Sequence, residues 1–137
     1  MYQVLELNEI IASSEYINVY NNGDVIAYKQ NETPYNKIVE GWTVLCENAR
    51  QMPAFGVSLN NETIEAKKVG LWVEFVFDKK YSHSKMTFEK LLVKVEKGWH
   101  GFNIVRFDSQ SGYNGRCYFL DLSGNDMSQF YDIIINL

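Results

Sequence analysis

The sequence predicts an α+β fold: one antiparallel sheet with helices packed on one face, forming a single domain over residues 1–137. Three observations point there. Residues 71–122 contain four strand-like runs, LWVEFVF, FEKLLVKVEK, FNIVRFD and RCYFLDL, separated by turn-rich gaps. Asn21-Asn22-Gly23-Asp24 joins two further alternating runs, YINVY and VIAYK. Apolar residues recur at helical spacing before and after the meander.

The elements follow in order. Leu7, Ile10 and Ile11 suit a short helix over Leu5–Ser13. Tyr16–Tyr20 and Val25–Lys29 form a hairpin, because Asn-Gly tolerates the positive φ that both turn positions need. After a loop at Asn31–Asn36, the residues Ile38, Trp42, Leu45, Ala49 and Met52 trace one face of a principal helix over 36–52, stopped by Pro53. Gly41 inside it costs about 1 kcal/mol relative to Ala, which suggests either a later start or a closely packed neighbour. A short strand is expected at Phe55–Leu59, then a helix over Glu62–Lys68 capped by Asn61 and stopped at Gly70. The four-strand meander of 71–122 follows. Met127, Phe130, Tyr131 and Ile134 define a C-terminal helix over 126–136. The expected sheet has five or six strands, with the N-terminal hairpin either extending it or lying apart as a flap.

Alternation puts Leu71, Val73, Phe75 and Phe77, with Leu91, Val93 and Val95, under the helices. The other face, with Trp72, Glu74, Leu92 and Lys94, reads as half-solvated, with Glu74 opposite Lys94.

Hydrophobic residues make up 46% and charged residues 22%, which argues for a globular rather than a disordered chain. Seventeen acidic residues against thirteen basic ones give a net charge of −4, so no nucleic-acid partner is expected. No apolar run is long enough to cross a membrane, and no secretory leader is evident. A cytoplasmic location is therefore expected. Cys46 and Cys117 belong to no CxxC or Cys/His cluster and read as reduced, buried thiols. No metal site and no cofactor are expected.

A meander places its first and third loops at one end. Asp78–Thr87 and Ser109–Gly115 should therefore lie together, and Trp99-His100 should lie at the far end. The candidate binding residues are Tyr81, His83, Tyr113, Asn114 and Arg116. Arg116 supplies a planar donor fork for a phosphate or carboxylate. His83, between two serines, reads first as a solvent-exposed loop histidine; acting as a general base would require orientation by Asp78 or Asp108. Gly112 and Gly115 can make the turn, which would leave Tyr113 and Arg116 free for binding. No catalytic set is evident.

The leading functional expectation is a small non-enzymatic protein-binding domain with a protein partner, of the inhibitor, antitoxin or immunity-protein kind. A small-molecule- or nucleotide-binding domain with its site at 78–87/109–116 is the alternative, and a concave pocket at that end would favour it. A self-associating structural subunit is the third.

Overall fold

The computed structural model of the chain describes residues 2–52 and 56–137. Its order is α1 (Tyr2–Ala12), β1 (Tyr16–Asn21), β2 (Asp24–Lys29), α2 (Thr33–Leu45), β3 (Arg50–Met52), β4 (Val57–Ser58), α3 (Asn60–Ala66), β5 (Leu71–His83), β6 (Met86–Val95), β7 (Gly101–Phe107), β8 (Gly115–Arg116), β9 (Tyr118–Asp121) and α4 (Ser128–Ile135). The α+β reading holds, and the sheet is larger than expected. Seven strands run in the order β2-β1-β5-β6-β7-β9-β3, and β4 pairs separately with β8. The N-terminal hairpin extends the main sheet: β1 pairs antiparallel with β5 from Tyr16↔Val76 to Asn21↔Leu71.

The principal helix lies earlier than 36–52. It begins at Thr33, where Pro34 sits in the first turn with its φ already suited to a helix. It ends at Leu45, and Arg50–Met52 leave it to pair with β9. The residue before a proline is driven toward extended backbone, so Met52 favours a strand over a last helical turn. Ala49 stays buried in the connecting turn, which is why it mimicked the helical stripe. Pro53 and Phe55, expected as helix stop and strand start, lie outside the described residues. Leu59 rather than Asn61 precedes the first residue of α3.

Leu7, Ile11, Ile38, Trp42, Phe130 and Ile134 from the helices meet Val73, Phe75, Leu91, Val93, Phe102 and Leu120 from the sheet in one core. Trp42 is its hub, edge-to-face with Phe75, Phe102 and Phe130 at 5.2, 5.5 and 5.9 Å. Gly41 allows α2 and α4 to close on each other, since a Cβ there would meet Ile133 Cδ1 at 3.0 Å and Phe130 Cδ1 at 3.2 Å. The close neighbour, not a later helix start, explains the glycine.

The opposite face of the sheet is covered, not half-solvated. Trp72, Leu92 and Tyr113 form a second small core with Tyr20, Val105 and Phe107 around it. Register decides the partners: Trp72 faces Lys94, and Glu74 faces Leu92. Glu74 is therefore 0% exposed, while Lys94 pairs with Glu96 at 3.2 Å. Among the described residues no helix is long and apolar enough to cross a membrane.

Candidate functional site

The first and third meander loops do share one end, and the strands flanking the first reach the start of the third. Lys80 Nζ lies 3.0 Å from Asp108 Oδ2, and the Ser109 N–H donates to Glu89 Oε2 at 2.6 Å. The first loop is shorter than 78–87. β5 runs on to His83 through a register shift between Val76 and Tyr81, and only Ser84 and Lys85 turn, with φ of 51° and 63°.

The five predicted residues separate onto different surfaces. Tyr81 packs on the helix side, with its ring 5.3 Å from Phe77 and 6.4 Å from Phe88. His83 is 5% exposed, not a solvated loop histidine. Its ring lies 5.5 Å from Tyr118, and its Nε2 lies 3.7 Å from Glu6 Oε2. Alternation along the extended β5 turns it inward, so neither Asp78 nor Asp108 orients it.

Tyr113 and Asn114 serve the other face. The Tyr113 hydroxyl donates to Glu74 Oε2 and accepts from Lys67 Nζ at 2.8 Å. Tyr20 donates to Glu74 Oε1 at 3.0 Å. Lys67 Nζ also sits 4.6 Å from the Tyr20 ring centroid and 4.7 Å from that of Tyr113. Burial pushes the Tyr113 hydroxyl above the usual phenol range, with the Glu74 charge adding to it. Burial also lowers the Lys67 ammonium, with Glu74 opposing that shift. Asn114 Oδ1 accepts from the Asn60 N–H at 2.7 Å and so anchors α3. Gly112 makes the turn at φ +72°, but Tyr113 is not thereby free: it seals a buried carboxyl.

Of the five, Arg116 lines a cleft at this end. β7 pairs with β9 over residues 101–104 and with β6 over 104–107. Beyond those registers the strands splay, leaving a cleft of about 590 Å³ lined by Gln51, Met52, Ser84, Lys85, Met86, Thr87, Arg106, Arg116, Cys117 and Tyr118. Arg106 spans the gap, with Nε donating to the Arg116 carbonyl at 2.7 Å and Nη1 to the Thr87 carbonyl at 2.9 Å. Gly115 lies beneath it at φ +128°, a conformation that L side chains rarely adopt, and a Cβ there would lie 2.7 Å from Arg106 Nη2. Gln51 Nε2 reaches Ser84 Oγ at 3.4 Å, while its buried Oε1 makes no hydrogen bond to the described residues.

Lys85, Arg106 and Arg116 thus surround a cleft whose described lining holds no carboxylate. None of the three forms an ion pair among the described residues, although Arg50, Lys68, Lys80, Lys94 and Lys97 all do. Burial raises the Cys117 thiol, with Ser58 opposing that shift, so it is a poor nucleophile at neutral pH. Cys117 and Cys46 are both free and buried. No group of three or more His, Cys, Asp or Glu among the described residues could hold a metal ion.

Sequence reasoning missed Gln51 and Arg106. Arg106 had a signal: it is the one basic residue in the run FNIVRFD. Gln51 had the pre-proline bias of its segment. Comparison with known proteins finds no matching family model, no matching curated protein and no matching solved structure.

Proposed function

We propose that the chain is a small-molecule-binding domain that holds its ligand in the cleft between β3, β6, β7 and β8 without transforming it. One observation carries the reading: a concavity of about 590 Å³ opens at the meander end, lined by donors that no described acid neutralises. Ligand pockets typically occupy about 300–1,000 Å³. A binding role is favoured over catalysis because the described lining offers neither a histidine nor a carboxylate to move a proton. The free thiols agree with a reducing compartment, so we also propose a cytoplasmic location. The net charge of −4 argues against nucleic acid as partner.

A second reading, a protein-binding domain of inhibitor or immunity-protein type, is favoured by two other surfaces. A groove of about 760 Å³ between α2 and α4 is lined by Gly41, Val44 and Ile133, of which Val44 is exposed. The edge strand β2 presents Val25 and Ile26 at 53% and 57% exposure, which also suits self-association. Soaking crystals of the full chain with a fragment library separates the readings. Hits clustered against Gln51, Thr87 and Arg106 are expected. Hits confined to the α2–α4 groove would move the function to that surface.

A further inference from the structure

Resting on the reading of the cleft as a ligand site, we infer that the ligand carries a phosphate, or a comparably compact and multiply charged oxyanion, held by Lys85, Arg106 and Arg116. The first reason is charge. The chain has more acids than bases, and five of its thirteen basic side chains meet a carboxylate at 2.9–3.2 Å. The three around the cleft are among the eight that meet none among the described residues, and they share one cleft; like charges held together without a counter-ion favour an anion between them.

The second reason is preorganisation. Arg106 is fixed by its two bonds to backbone carbonyls, so its rotamer freedom is already spent before a ligand arrives. Those bonds use two of its five N–H donors and leave the rest of the planar fork for oxyanion oxygens. Lys85 extends from a tight turn whose backbone φ values of 51° and 63° limit its position. Ser84 and Thr87 add hydroxyls on the same wall.

Asp108, bonded to the cleft residue Thr87, is compensated. Asp108 Oδ2 meets Thr87 Oγ1 at 3.3 Å, but it also meets Lys80 Nζ at 3.0 Å, and its Oδ1 accepts the Gln110 N–H. It does not cancel the field of three cations. A single carboxylate would engage one fork and leave two cations unmatched, whereas a tetrahedral dianion presents enough oxygens for all three. The cleft exceeds the volume of a bare phosphate, so an organic remainder would lie along Met52, Met86 and the edge of Tyr118. Tyr118 is 1% exposed and its hydroxyl is tied to the His83 carbonyl, so it offers no open face for a stacked base. The ligand class is therefore a phosphorylated small molecule rather than a nucleotide held by stacking.

The test is a chemical-shift titration of the full chain with inorganic pyrophosphate, with sodium chloride at matched ionic strength as control. Saturable shifts are expected at the amides of Ser84, Lys85, Thr87, Arg116 and Cys117. A Lys85→Gln/Arg116→Gln variant, which leaves the Arg106 brace intact, should weaken binding by about tenfold or more. Saturation at the same affinity in the variant, or shifts no different from the chloride control, would overturn the inference. Neutral fragments are titrated in parallel. If they saturate the same amides while pyrophosphate does not, the small-molecule reading stands and the oxyanion falls. If neither probe saturates them, both fall.

Discussion

Replacing Trp42 with Ala removes the side chain on which the helix layer meets the sheet. The indole is 1% exposed and touches three aromatic rings edge-on. A buried Trp removes about 150–250 Å² from water. At about 25 cal/mol per Å² that is about 4–6 kcal/mol, of which Ala retains a small part. Each edge-to-face contact adds about 0.5–1.5 kcal/mol, while partial collapse of the cavity returns some of the loss. The indole N–H also donates to Asn8 Oδ1 at 2.8 Å, tying α1 to α2, but Asn8 is half-buried and can turn to water. The expected cost is about 3–5 kcal/mol, a large share of the about 5–15 kcal/mol that holds a domain together. Urea melts followed by near-ultraviolet circular dichroism measure it. Trp42→Phe serves as control: it keeps a ring against Phe75 and Phe130, loses the Asn8 bond, and should cost clearly less. A Trp42→Ala loss below about 1 kcal/mol, or a Trp42→Phe loss equal to it, would show that the ring cluster is not the hub of the core.

Three further outcomes follow from the packing. Tyr113→Phe strips Glu74 Oε2 of its donor and Lys67 of its acceptor, and should cost about 1–3 kcal/mol in a urea melt; a neutral result would mean that water replaces the hydroxyl freely. Gly41→Val should destabilise by about 1–3 kcal/mol, because its branches would drive into Ile133 and Phe130, and a gain in stability would refute the close approach of α2 and α4. Backbone N–H groups of Ser109, Gln110, Ser123 and Ser128 hold Glu89, Asp108, Asp121 and Asp126 below the ordinary carboxylate range. Their folded pKa values lie below the unfolded ones, so this stabilisation is fully present above the ordinary range and is lost as pH falls through the folded values. Urea midpoints should drop as pH falls below about 5, and midpoints unchanged down to pH of about 3 would contradict the assignment.

The parts of the fold legible in sequence are those with local causes. Asn22-Gly23 dictates its hairpin by turn chemistry alone, and the alternation in 71–77 and 91–95 assigns the helix-side face correctly. The parts that escaped depend on distant partners. β3 exists because β9 offers it a ladder, and nothing within Arg50–Met52 announces that partner. Glu74 looked like a solvent-facing acid because its burial is made tolerable by Tyr113 and Tyr20, which lie 39 and 54 residues away. Likewise the shared loop end followed from meander connectivity, but which side chains converge there did not. Alternation along the lengthened β5 turns His83 into the helix layer, and the buried Glu74 recruits Tyr113, leaving Arg116 to line the cleft with Arg106 and Lys85.

A crystal structure of the protein grown with inorganic pyrophosphate tests the central claim most directly. The anion should lie in the cleft within hydrogen-bond reach of Lys85 Nζ and of the free guanidinium donors of Arg106 and Arg116, with Arg106 still bonded to the Thr87 and Arg116 carbonyls. An empty cleft at a pyrophosphate concentration well above the solution dissociation constant, or an anion bound only elsewhere on the surface, would contradict it.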